Sequence, residues 1–142
     1  MLILSPSQLI CDALSAYTNI VSDLVRNPHG RIAQHIRKVG EDKVCTSIIV
    51  AAEMRYGAAK RNSLQLSAQL EAVLGALEIL PFETPFDRVY GTIRARLEKA
   101  GRQIGANDLL IASHALSLGY TVVTNNVDEF ARIEDLLYEN WL

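Results

Sequence analysis

The chain has 142 residues, 49% of them hydrophobic and 21% charged, with a formal net charge of -2. That length can bury a core, and the composition is too apolar for a disordered chain. The near-neutral balance leaves no general basic footprint for nucleic acid, so any RNA contact must be local. The apolar stretches at the start, Met1–Leu4 and Leu9–Cys11, are broken by Pro6, Gln8 and Asp12. With no basic leader and no long apolar run, neither a signal peptide nor a membrane span is expected, and the location should be cytoplasmic. Cys11 and Cys45 lack metal-motif spacing and read as buried thiols.

In chain order, residues 1–15 fit no clear element. Thr18 or Asn19 can cap a short helix carrying Ile20, Val21, Leu24 and Val25, which Asn27-Pro28-His29-Gly30 ends. Arg31 to Val39 is amphipathic, with Ile32, Ile36 and Val39 as its stripe and Gly40 as its stop. Lys43–Ile48 is a β-branched run and predicts a buried strand, followed by a helix from about Ile49 to Lys60. Leu66, Leu70, Val73, Leu74 and Leu77 repeat the helical period over Ser63–Leu77. Glu78-Ile79-Leu80 is a short strand stopped by Pro81. A second clean stripe runs Phe86, Val89, Tyr90, Ile93, Leu97 and Ala100, ending at Gly101, with Arg94 and Arg96 off it and solvated. After a further helix stopped by Gly119, Tyr120–Thr124 predicts a buried strand. Val127–Ile133 predicts a short helix anchored by Phe130, and Leu136–Trp141 a last strand or tail. Strands are expected near Leu14–Thr18, Lys43–Ser47, Glu78–Leu80 and Tyr120–Thr124. Their alternation with helices predicts an α/β domain on a mostly parallel sheet.

The stretch from Ile104 to Ala115 is the most informative. Gly105 is expected to allow a tight entry and Asn107 to cap the helix that follows. That helix is apolar nearly all round, which marks it as buried, yet Asp108 shares a face with Ile111, Ala112 and Ala115. A carboxylate there is costly unless a cation or donor meets it. Asp108 is therefore either a helix-start acid bonded to backbone N–H groups or a metal ligand. Glu53 falls in line with Ile49, Val50, Tyr56 and Gly57 just past a strand, and a salt bridge is its plainer role. Asn126 sits at the carboxyl end of the strand Tyr120–Thr124, where ligands bind in open α/β sheets. Glu53, Asp108 and Asn126 would converge on one sheet edge, and a divalent cation would relieve the repulsion there. Carboxylate and amide oxygens suit Mg²⁺ or Mn²⁺. No glycine-rich phosphate loop or Ser-His-Asp set is present, and His29, His35 and His114 read as surface or packing residues.

Four motifs in order then resemble the PIN-domain ribonucleases, specifically the VapC-type toxins of bacterial toxin–antitoxin pairs. They are Thr18-Asn19-Ile20; Ala52-Glu53-Met54-Arg55-Tyr56-Gly57; Ala100 through Asp108 and on to Ala115; and Val122-Val123-Thr124-Asn125-Asn126-Val127-Asp128-Glu129-Phe130. The resemblance runs from about Ala16 to the end. It implies that residues 1–142 form a single PIN domain, with 1–15 an atypical N-terminal segment. The implied fold is a three-layer α/β/α arrangement with a central parallel sheet of about five strands. It further implies Mg²⁺- or Mn²⁺-dependent cleavage of RNA, with tRNA as the substrate class. Asp108 and Glu53 would be the metal ligands, and Asn126, Asn19 and, more weakly, Thr124 would complete the catalytic shell. Implied partners are a second copy of the chain and a VapB-type antitoxin. One position departs from the pattern: such proteins carry Asp immediately before the Thr-Asn pair, and here it is Tyr17. A phenol titrates near ~10 and supplies no carboxylate at neutral pH. Asp12 and Asp23 are the nearest acids and match no motif position. Impaired cleavage, or an inactive module that still dimerises and holds its antitoxin, is the reading this residue raises.

Overall fold

The computed structural model describes residues 2–4 and 20–142. The strand expected at Leu14–Thr18 lies outside them, as do Cys11, Asp12, Tyr17 and Asn19.

Among the described residues, five short strands form one sheet, in the order β3-β2-β1-β4-β5: β1 (Leu2–Leu4), β2 (Cys45–Ser47), β3 (Glu78–Leu80), β4 (Thr121–Val123) and β5 (Tyr138–Glu139). β2 and β3 are parallel, with Thr46 opposite Ile79, and so are β4 and β5, with Val122 opposite Tyr138. β1 fills the centre and runs antiparallel to both neighbours, with Ile3 opposite Cys45 on one side and Val122 on the other. Four strands thus point one way and β1 points against them. The parallel expectation holds for the outer pairs. The central strand is Leu2–Leu4, from a segment the sequence left without an element. A three-residue apolar run has the same composition whichever way it runs, and antiparallel pairing is slightly the more stable per residue.

Among the described residues the helices are α1 (Ile20–Arg26), α2 (Arg31–Val39), α3 (Ile48–Arg61), α4 (Leu64–Ala76), α5 (Phe86–Lys99), α6 (Ala106–Leu118) and α7 (Val127–Phe130), with a 3₁₀ turn at Glu41–Lys43. α6 is the hub. Leu109, Ile111, Ala112, Ser113, His114 and Ala115 are all buried along it, as its all-round apolar pattern requires. It packs on α5, α3 and β4. Gly119 stops it in the left-handed conformation at φ 70°, its N–H returning to Leu116 O at 3.1 Å. The principal core gathers Ile20, Ile32, Val50, Ile93, Ile111 and Phe130, among others. A smaller cluster of Val25, Ala51, Ala58, Leu70 and Leu74 joins α1, α3 and α4. Phe130 is fully buried, an anchor contributing roughly 2–3 kcal/mol relative to exposure. α7 is a single turn and ends at Phe130, three residues short of the expected Ile133, because Ile133 N–H turns back to Phe130 O.

Two details of the entry to α6 differ from expectation. The cap is Gly105, not Asn107, which lies within the first turn. Gly105 has φ −56° and ψ 146°, a conformation open to any residue, so no glycine is demanded by the backbone. Among the described residues, no helix is long and apolar enough to cross a membrane.

Candidate active site

The polar groups gather where α6 begins and where β4 gives way to α7. Thr124 ends the strand. It is fully buried, its N–H donates to Glu139 O at 2.7 Å, and its Oγ1 accepts the Asn126 N–H at 2.9 Å. That local turn holds Asn126 at the cap of α7. The Asn126 Nδ2 amide then donates to Asp108 Oδ2 at 3.0 Å. Asp108 itself is only 4% exposed, in the first turn of α6.

The third member is Glu129, which the motif pattern alone does not single out. Its Oε2 accepts the Gly105 N–H at 3.3 Å. Its carboxyl is held below the usual carboxylate range. The first cause is a hydrogen bond from the Asp108 carboxyl, helped by the Gly105 N–H, the Arg132 charge and the Asn126 amide, with burial opposing. Asp108 and Glu129 are thus direct partners at the start of α6. Its signal in the sequence is the spacing: Glu129 lies three residues after Asn126, the separation that brings a helix-start Glu back towards its cap. The same spacing is common in helices with no site at all, so it marks no site by itself.

The other expected residues stand differently. Glu53 is half-buried on α3, with no ion pair or hydrogen bond to Asp108 or Glu129. Thr124 serves as the turn that positions Asn126. Asn19 lies outside the described residues. His114 is a packing residue. It is buried, its Nδ1 is 2.9 Å from Ser47 Oγ, and its ring meets Phe82 edge-on at 4.8 Å. Burial pushes its pKa down, against a hydrogen bond to the Pro81 backbone. His35 stacks on Trp141 at 4.5 Å.

In sequence comparison, residues 18–136 match the PIN domain family. The chain belongs to the PIN-domain family, within its VapC-type ribonucleases. Ribonuclease VapC2 of Rickettsia felis is 46% identical over 99 residues, covering 69% of this chain and 74% of that protein. The tRNA(fMet)-specific endonuclease VapC of Shigella flexneri is 32% identical over 125 residues, covering 87% and 94%. Among solved structures, VapBC2 from Rickettsia felis bound to a promoter DNA fragment superposes with a TM-score of 0.81 at 36% identity, over 94% of this chain and all of that one.

PIN-domain ribonucleases are generally dependent on a divalent metal, and the donors here fit one. Asp108, Glu129 and Asn126 offer oxygen ligands only, and Asp108 Oδ2 and Glu129 Oε2 each lie 3.7 Å from the position a Cβ on Gly105 would take, so the two carboxyls converge on one spot. Among the described residues, no three His, Cys, Asp or Glu side chains gather closely enough to hold a metal. Two carboxylates, with waters and substrate oxygens, are a usual Mg²⁺ environment. A cavity of about 510 Å³ between the α1–α2 turn and Leu142 is lined by none of these residues.

Proposed function

We propose that this chain is the toxin of a toxin–antitoxin pair, a Mg²⁺- or Mn²⁺-dependent endoribonuclease that cuts RNA, with tRNA as the substrate class. The observation carrying this reading is the buried Asp108 carboxyl meeting Glu129 and the Asn126 amide at the edge of the sheet. A shared sheet and one principal core support treating residues 1–142 as a single PIN domain. The solved VapBC complexes among its relatives support a VapB-type antitoxin as partner. The motif resemblance adds a second copy of the chain as partner and the cytoplasm as location.

Asp108 and Glu129 would hold the cation, with Asn126 beside them. The bound ion supplies neutralising charge and lowers the pKa of water. The chain's own residues do the rest. Asn126 fixes Asp108 Oδ2 through its amide, and the Thr124 turn fixes Asn126. Gly105 N–H and Arg132 keep Glu129 ionised. Glu53 orients the attacking water, and Asn19 completes the polar shell. In the cleavage, a water oxygen bonds to phosphorus and the P–O bond to the leaving sugar oxygen breaks. The water's proton passes to a carboxylate, and the leaving oxygen takes one from solvent.

Purified protein incubated with tRNA and Mg²⁺ should yield cuts that EDTA stops, and Asp108→Asn and Glu129→Gln should each slow them about a hundredfold or more. Cleavage indifferent to EDTA and to Asp108→Asn refutes the mechanism. Tyr17 favours a second reading, an inactive module that dimerises and holds its antitoxin. Absence of cleavage together with tight antitoxin binding would select it.

A further inference from the structure

Overall charge cannot bring RNA to this protein: the net charge is -2 and the site itself is acidic. A phosphate backbone approaching Asp108 and Glu129 is repelled unless cations stand beside them. The basic residues nearest in the chain lie at the end of α5 and in the loop to α6. Two of them are neutralised: Arg94 pairs with Glu98 at 3.0 Å and Arg96 with Glu134 at 3.4 Å. Lys99 and Arg102 are exposed and have no carboxylate partner among the described residues. Arg132 spends its hydrogen bond on a carbonyl, Gln103 O at 2.9 Å, so its charge is not cancelled by direct pairing and acts at a distance on Glu129.

The loop that carries Arg102 is fixed on both sides. Gly101 takes the left-handed conformation at φ 64°, so that its N–H reaches Glu98 O at 3.1 Å and the Arg102 N–H reaches Leu97 O at 2.9 Å. Arg132 clamps Gln103, and the Gly105 N–H bonds Glu129. The same short segment therefore presents Arg102 at one end and touches the acidic pair at the other.

We propose that Lys99 and Arg102, together with Arg132, are the docking surface for the RNA sugar–phosphate backbone, holding the strand beside the Asp108–Glu129 pair. This rests on the ribonuclease reading above. Arg102 and Lys99 are positioning residues: they grip phosphates flanking the reacting one. Removing either cation should weaken binding and flatten its salt dependence.

The test uses the full chain carrying Asp108→Asn, so that RNA survives the measurement, with tRNA as the probe titrated over a range of salt. Lys99→Gln with Arg102→Gln should weaken binding roughly tenfold or more and reduce the salt slope by about one to two. Arg102→Lys should recover most of the affinity. In the chain that keeps Asp108, the paired change should raise KM with little change in kcat. Arg31→Gln, an exposed arginine on the cavity that no site residue lines, is the charge-matched control. Equal weakening by Arg31→Gln, or none from the Lys99 and Arg102 changes in protein whose melting is intact, overturns the docking surface alone. If neither the unaltered chain nor the Asp108→Asn variant engages any RNA, the ribonuclease reading falls, and the docking surface with it.

Discussion

Asp108→Asn should stabilise the metal-free protein while silencing it. Asp108 is 4% exposed and hydrogen-bonded to a second carboxyl, Glu129. Two unit charges about 4 Å apart repel by about 4 kcal/mol at an effective dielectric near 20. Without a cation that repulsion counts against the folded state. An asparagine side chain in place of Asp108 keeps the shape and removes one of the two charges. Its Nδ2 can donate to Glu129, and its Oδ1 can still accept from Asn126. The expected gain in EDTA at neutral pH is about 1–2 kcal/mol, or roughly 3–8 °C in Tm for a chain of this size. Millimolar Mg²⁺ should reverse the order, raising the Tm of the unaltered chain by ligand linkage and leaving the variant nearly unmoved. Thermal unfolding in EDTA and in Mg²⁺, on both proteins, reads all four values. A lower Tm for Asp108→Asn in EDTA, or an undiminished Mg²⁺ shift, refutes the claim that this pair is strained and relieved by metal.

His114 is held neutral by burial, its pKa below the ordinary 6.5, so the unfolded chain binds the extra proton. Stability should fall as pH drops below 6.5, by at most about 1.4 kcal/mol per unit, and denaturant titrations of His114→Gln should lose that component. Gly105→Ala should be tolerated, because φ is −56° and the nearest atoms to an added Cβ are 3.7 Å away. Melting should show no loss and up to ~1 kcal/mol gain through the unfolded state, and a drop beyond that would mean the acidic pair had been displaced. Tyr17→Asp should raise tRNA cleavage at least tenfold, by adding the carboxylate the first motif lacks; equal rates would place that role on another residue.

Helix positions were legible because each has a period and a stop. The stripe from Phe86 to Ala100 became α5, and Gly40 and Gly119 end α2 and α6 as their sequence positions suggested. Asp108 stood out because a charge on a face of Ile and Ala has few physical excuses. Glu129 did not, because it lies among polar neighbours at a spacing that ordinary helix starts also use. Its role appears only when α6 and α7 are brought together, since its partners Asp108 and Gly105 are more than twenty residues away in the chain. The central strand was illegible for another reason. Leu2–Leu4 is a three-residue run, too short for alternation to declare either a strand or its direction.

The site divides into halves with different origins, and this bears on how activity is tuned. Asp108, Asn126 and Glu129 come from α6 and α7, which pack together and are tied by Gly105 and the Thr124 turn. None of those ties involves Glu53. A change at Glu53 therefore alters what is added to the acidic pair without unmaking it, whereas a change at Asn126 or Thr124 loosens the pair itself. The two classes separate by measurement. Glu53→Gln should lower cleavage while leaving the Tm in EDTA and the Mg²⁺ shift close to those of the unaltered chain. Asn126→Ala removes the amide on buried Asp108 Oδ2, leaving a carboxylate oxygen without that donor, at a cost of about 1–3 kcal/mol, and should lower Tm and cleavage together. If Glu53→Gln also collapsed stability, the halves would be one unit, and the independence argued from the α6–α7 contacts would be wrong.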